Sequence, residues 1–88
     1  MDQIKQAEIT RDGLLKALEE AKLDGSGAAA IKRFVEKNFE YLKKHIAEKD
    51  SHAVGLDLIK FFAIAEMLDP YSSVAHELYL GFIEGMHD

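Results

Sequence analysis

Residues 52–68 read HAVGLDLIKFFAIAEML, the most apolar helix-length segment of the chain. Apolar side chains fall on nearly every side of a helix built from it, and beyond His52 only Asp57, Lys60 and Glu66 add acidic or basic groups. A helix that is apolar nearly all round is either buried or in contact with neighbours on two sides. The segment is too short and too charged to cross a bilayer. It therefore predicts a buried helix, with Phe62 at its centre among the most buried residues.

Working outward, the rest of the chain also has the apolar spacing of helices, interrupted at Asp24–Gly27, Asp50–Ser51 and Asp69–Pro70. Asp, Ser and Gly favour helix ends, and proline disfavours helix in the residue before it. Thr10 and Gly13 leave open whether the first helix is continuous. The fold class is all-α, a compact bundle of three to four helices, with helices expected at about 3–23, 27–48, 52–68 and 73–86.

The length of 88 residues suits one domain, which we expect to span 1–88. With no cysteine, the chain has no disulfide or thiolate metal site. The first ten residues lack the basic, apolar and small-residue regions of a secretory signal, so we expect a cytoplasmic location.

The net charge of −5 is unevenly distributed. Residues 25–50 carry six basic and four acidic side chains, whereas residues 51–88 carry one basic and six acidic ones. The basic residues of the second helix alternate with glutamates at helical spacing, which supports the helix itself. We therefore expect no nucleic acid and no membrane among the partners.

The segment Asp24–Gly27 resembles positions three to six of an EF-hand calcium loop. Such a loop needs an oxygen ligand at its first position and a bidentate glutamate at its twelfth. In this register those positions are Lys22 and Arg33, so we predict a capped turn between helices and no calcium binding.

The run from Leu58 to Pro70 resembles the second helix of a tetratricopeptide repeat, which ends in a similar apolar-Asp-Pro turn. That family repeats every 34 residues, but a shift of Pro70 by that length lands on Glu36, inside a predicted helix. The sequence thus favours an ordinary helix stop.

No pattern typical of catalysis or of a cofactor site is present, and we expect neither enzyme activity nor a small-molecule substrate nor a bound cofactor. Glu84 and His87 have the spacing of a di-iron helix pair, but such sites need two of these motifs and two further glutamates. An enzyme or metal carrier that uses His76, Glu84 and His87 is the weakest of the alternatives.

The last third of the chain has an apolar excess, with 21 hydrophobic side chains between Ala53 and Met86. A small domain has little interior relative to its surface, and exposed apolar patches usually mark interfaces. Either helix three is covered by the other three helices, or helices three and four expose a contact face. We expect the first helix to dock loosely and to leave that face uncovered.

These observations predict a small helical interaction module, a regulator or adaptor, that binds a protein partner or itself as a two-fold dimer. The alternative is an immunity-type protein that neutralises a toxin. The expected contact face is rimmed by Asp57, Glu66, Glu77 and Glu84. Its expected partner-binding residues are Phe61, Ile64, Tyr79, Phe82 and Met86.

Overall fold

A computed structural model describes the backbone of residues 2–23 and 25–87 and the side chains of residues 2–23 and 25–85. These residues form four α-helices and one short 3₁₀ turn, without a strand in the described ranges. The all-α prediction is confirmed. The elements are α1 (Gln3–Ala21), α2 (Gly25–Ala47), α3 (Ser51–Leu68), the 3₁₀ turn (Asp69–Tyr71) and α4 (Ser73–His87).

Helix α1 is continuous through Gly13, and Thr10 does not start a second helix. The Asp2 side chain caps it by accepting a hydrogen bond from the backbone N–H of Ile4. It ends at Lys22, which adopts the left-handed conformation with φ 51°. Its buried side chains recur at helical spacing and are Ala7, Thr10, Leu14, Ala17 and Leu18.

Helix α2 begins at Gly25, two residues before the expected start, and ends in a left-handed turn at Lys49 with φ 58°. Lys49 N–H donates to Ile46 O and Asp50 N–H donates to His45 O, which satisfies the last carbonyls of the helix. Asp50 then caps α3 through the backbone N–H of Ala53. The buried side chains of α2 form one stripe of Val35, Asn38, Phe39 and Leu42.

Helix α3 buries one face, and this corrects the expectation that Phe62 is among the most buried residues. Phe61 is 0% exposed, whereas Phe62 is only half-buried. The reason is helical phase: one residue turns the side chain by about 100°, which places Phe61 within the buried stripe and turns Phe62 to its edge, against Tyr79 of α4. The buried stripe consists of Asp57, Phe61, Ile64, Ala65 and Leu68.

The 3₁₀ turn carries Pro70 and leads into α4, which Ser72 caps. Ser72 Oγ accepts the backbone N–H of Ala75 at 3.2 Å and donates to Glu20 Oε1 at 2.6 Å. The hydroxyl therefore fixes the start of α4 to the last turn of α1.

The helices are arranged as an inner pair, α1 and α3, with one further helix on each flank. Both α2 and α4 pack against α1 and α3, and within the described residues no Cα pair closer than 8 Å joins α2 to α4. Two helices that share both neighbours and do not touch each other lie on opposite sides of that pair. We call these sides the α2 flank and the α4 flank.

The expectation that the first helix docks loosely is wrong. Leu14 and Ala17 of α1 are 0% exposed, and α1 packs against each of the other three helices. Its glycine is part of the reason, because a Cβ atom at Gly13 would come within 3.1 Å of Leu78 Cδ1 on α4. The bare backbone at Gly13 lets α4 approach closely. Across the described ranges, no helix is both long and apolar enough to cross a membrane.

Candidate functional site: an apolar groove on the α4 flank

A groove of about 750 Å³ opens between the N-terminal halves of α1 and α3 and the part of α4 from residue 77 to residue 85. The volume falls within the range of about 300–1,000 Å³ that is typical of ligand pockets. Its walls are mostly apolar. The groove is lined by Gln6, Thr10, Gly55, Leu58, Ile59, Glu77, Leu78, Gly81, Phe82 and Gly85.

Three glycines in helices leave the groove unfilled. Among the described residues, a Cβ atom placed on Gly55, Gly81 or Gly85 meets no atom of another helix within 4 Å. Gly81 and Gly85 are four residues apart, so they lie on one face of α4. Glycine inside a helix is less stable than alanine by about 1 kcal/mol, and no close packing contact at these three positions requires it. The groove is therefore open at some cost in stability.

Aromatic side chains form the boundary between the groove and the core. The ring of Phe62 stacks on Tyr79 with centroids 5.2 Å apart and meets the edge of Phe82 at 6.0 Å. All three side chains are half-buried. Such ring pairs contribute about 0.5–1.5 kcal/mol beyond their buried area. The aromatic cluster therefore helps to hold α4 against α3 beside the groove.

Exposed apolar side chains continue the groove onto the surface of α3. Ile59 is 55% exposed and Leu58 is 38% exposed, although both line the groove. Leu56 is also exposed, whereas exposed Met67 lies beside Ile31 and Phe34 of α2 on the other flank. The apolar excess of α3 is thus exposed on both flanks.

The polar side chains of the lining lie on α1 and at one position of α4. Thr10 is 8% exposed, and its Oγ1 donates to the backbone carbonyl of Gln6 at 3.0 Å. Gln6 and Glu77 are exposed. An apolar trough with a few polar groups at its border can bind apolar side chains and orient them with hydrogen bonds.

The structure separates the five residues that the sequence predicted for partner binding. Phe82 lines the groove, and Tyr79 packs beside it on Phe62. Phe61 and Ile64 are 0% and 7% exposed, so the expectation that they lie on an uncovered face is wrong; both belong to the inward stripe of α3. The side chain of Met86 lies outside the described residues.

The expected acidic rim also needs a correction, because Asp57 is 3% exposed and faces α2. Its Oδ2 lies 2.6 Å from His45 Nδ1, and its backbone carbonyl accepts a hydrogen bond from Asn38 Nδ2 at 3.0 Å. Glu66, Glu77 and Glu84 are exposed, as expected. Asp57 is therefore part of the packing between α2 and α3 and is not a rim residue.

A second exposed surface lies on the opposite flank, along the outer side of α2. Phe34 and Tyr41 are 47% and 46% exposed. They border a shallow depression with Lys37 and with Lys60 of α3. Lys60, the basic side chain of the acidic last third, thus lies on the α2 flank.

Between α1 and α2, the guanidinium of Arg11 lies over the ring of Phe39, 4.2 Å from its centroid. The Asp12 carboxylate accepts a hydrogen bond from Arg11 Nε at 2.9 Å, and this contact raises the pKa of Arg11. This site is polar and shallow. The Arg11 side chain covers the Phe39 ring there.

Histidine and acidic side chains form pairs but not larger clusters in the described residues. No group of three or more His, Cys, Asp or Glu side chains there has the geometry to hold a metal ion. His76 Nδ1 lies 2.5 Å from Asp69 Oδ1 near the start of α4. The side chain of His87 and all of Asp24, which the sequence singled out for metal sites, lie outside the described residues.

Sequence reasoning missed most of the groove lining. Of the residues predicted for partner binding, Phe82 lines the groove, whereas Leu58, Ile59, Leu78, Gln6 and Thr10 were not predicted. One feature of the sequence does indicate the groove. Gly55, Gly81 and Gly85 interrupt helical segments that are otherwise strongly apolar, which is unusual for packed helices.

Comparisons of the chain with protein-family models, with curated proteins and with solved structures found no match.

Proposed function

We propose that this chain is a small helical protein–protein interaction module, a regulator or adaptor, and that it binds a protein partner in the groove on the α4 flank. The observation that carries the proposal is the apolar groove itself, about 750 Å³ in volume and unfilled at three helical glycines. A large apolar pocket with a few convergent polar groups is the default binding site of a protein.

The shape of the groove favours a helix as the bound element. Its walls are three helices, and an amphipathic helix binds such a trough by inserting side chains spaced at i, i+3, i+4 and i+7. The bare backbone at Gly81 and Gly85 leaves room for bulky side chains of the partner. Exposed Ile59 and half-buried Phe82 supply the apolar surface against which these side chains pack.

A photo-crosslinking experiment tests the proposal in the cells that make the protein. A photoreactive amino acid is placed at Ile59, which lines the groove, or at Lys16 on the exposed side of α1. Adducts are identified by mass spectrometry. Each position is tested in the wild-type background, in Gly81→Leu and in Gly27→Leu.

The two leucine variants form a matched pair. Both replace an exposed helical glycine that has open space around it, but only Gly81 lines the groove. We expect a protein adduct at position 59 that is absent at position 16, lost in Gly81→Leu and retained in Gly27→Leu. An adduct at position 59 that is unchanged by Gly81→Leu, or no adduct above the Lys16 control, contradicts the proposal.

A further inference from the structure

We infer that the occupant of the groove is the outer face of α2 from a second copy of this chain, so that copies associate head to tail. This inference rests on the proposed function, since it names the partner of the same groove. It follows from three properties of the molecule: the side chains on the outer face of α2, the charges of the two flanks and the positions of these flanks.

The outer face of α2 combines aromatic and basic side chains. Ala30, Phe34, Lys37, Tyr41 and Lys44 are all exposed. Their spacing of i, i+4, i+7, i+11 and i+14 places them on one side of the helix. Aromatic side chains are enriched in interface centres, and here two half-exposed rings are separated by two helical turns.

The charges of the two flanks are complementary. Helix α2 carries five Lys and Arg side chains and two Glu, whereas α4 carries Glu77 and Glu84 and no Lys or Arg, and residues 51–87 contain one lysine. That one lysine, Lys60, borders the depression at Phe34 and Tyr41 and so adds to the basic flank. The charged side chain in the groove lining is Glu77, an acid. Opposite potentials on two surfaces favour their encounter and set their orientation.

The same charges disfavour a two-fold dimer in which groove meets groove. Such a contact is isologous, so it brings the acidic flank of one copy against the acidic flank of the other. A contact between the α2 face and the groove is heterologous and pairs opposite charges. Because α2 and α4 lie on opposite sides of the α1–α3 pair, one copy can use both surfaces at once. Head-to-tail association then extends to a third copy unless the ring closes.

The shapes of the two surfaces fit the same pairing. The rings of Phe34 and Tyr41 project from the α2 face with about half of their surface exposed. The groove is concave and lacks side chains at Gly55, Gly81 and Gly85. Bulky rings on one surface and missing side chains on the other permit close packing between the copies.

A mixing experiment tests the inference with two full-length variants. The groove variant, Gly81→Leu, fills the groove and keeps the α2 face. The face variant, Phe34→Ala with Tyr41→Ala, removes the rings and keeps the groove. Molar mass is measured by light scattering at increasing concentration for the wild type, for each variant alone and for their equimolar mixture. Circular dichroism checks that each variant is folded.

We expect the 9.9 kDa wild type to associate as its concentration rises. Each variant alone should have a dissociation constant raised by about tenfold or more. The mixture should restore association but stop at a one-to-one pair, because only one face and one groove remain intact. Added salt should weaken this pair, since exposed charges are screened.

Two results overturn the inference: a wild type that stays monomeric up to about 1 mM, or an associating wild type whose two variants do not complement each other. If the double alanine variant does not fold, Lys37→Glu with Lys44→Glu tests the same face through its charge. Failure here is distinguishable from failure of the proposed function. A monomeric wild type that still crosslinks another protein from position 59, blocked by Gly81→Leu, retains the groove as a binding site and excludes only the second copy.

Discussion

The two flanks of the α1–α3 pair are packed very differently. On the α2 flank, Val35, Phe39 and Leu42 are all at most 3% exposed. On the α4 flank, Ala75 is the single side chain of α4 that is buried among those described, and its large apolar residues are half-buried or exposed. Both helices pack against the same two partners, so the difference comes from their own sequences.

Three features of α4 account for the looser packing. It has glycine at positions 81 and 85, which are both exposed. Its Leu78 side chain packs against the bare backbone of α1 at Gly13. Its first turn is held by Ser72 and Glu20. The helix is therefore tied to α1 at its start, whereas the glycines further along it leave the groove unfilled.

The largest expected effect compares neighbours on α3. Phe61→Ala should lower the free energy of unfolding by about 3–5 kcal/mol, because a fully buried ring leaves a cavity. Phe62→Ala should cost about 1–2 kcal/mol, because its half-buried ring packs only on the α4 flank. Urea titration of both variants measures the difference. Equal losses, or a larger loss at Phe62, would show that the α4 flank is packed as tightly as the core.

The next comparison uses the two histidine–aspartate pairs. His45→Ala should cost about 1–3 kcal/mol, because it leaves the buried Asp57 carboxylate without this hydrogen-bond partner. His76→Ala removes an exposed pair with Asp69 and should cost about 0–1 kcal/mol. Thermal melts of the two variants test this. If His76→Ala lowers the stability as much as His45→Ala does, the α2 flank is not the more closely packed of the two.

The smallest expected effect has the opposite sign. Gly81→Ala should stabilise the chain by about 0.5–1 kcal/mol, because alanine is the better helix former and its Cβ meets open space. Gly13→Ala is the matched control, and its gain should be offset because the new methyl group must displace Leu78. Melting temperatures distinguish the two. A destabilised Gly81→Ala would mean that the groove is closed in solution.

The fold could be predicted from the sequence because its signals are local. Asp50 and Ser72 cap helices where the sequence places Asp and Ser before apolar runs, and Pro70 ends α3 as expected. The exact phase of α3 could not be predicted, because a segment that is apolar all round gives no preferred face. The sequence therefore does not distinguish Phe61 from Phe62 as the buried ring.

The candidate site was only partly predictable. The apolar excess of the last third correctly placed exposed apolar surface on α3 and α4, and Phe82 lies in the groove. The contribution of Gln6 and Thr10 depends on how α1 packs against α4, which is a long-range property. The burial of Asp57 likewise depends on a partner twelve residues away, His45, and no local pattern indicates it.

Amide hydrogen exchange tests the central claim, that the α4 flank is open in the free chain and is covered when its occupant binds. Exchange is measured in dilute protein, and then with the groove occupied by the protein that crosslinks at position 59, whether a second copy or another chain. We predict that amides of residues 78–85 exchange faster than those of residues 35–42 in the dilute chain and slow down on binding, with no slowing in Gly81→Leu. Equal protection of both segments in the dilute chain, unchanged on binding, would contradict the claim.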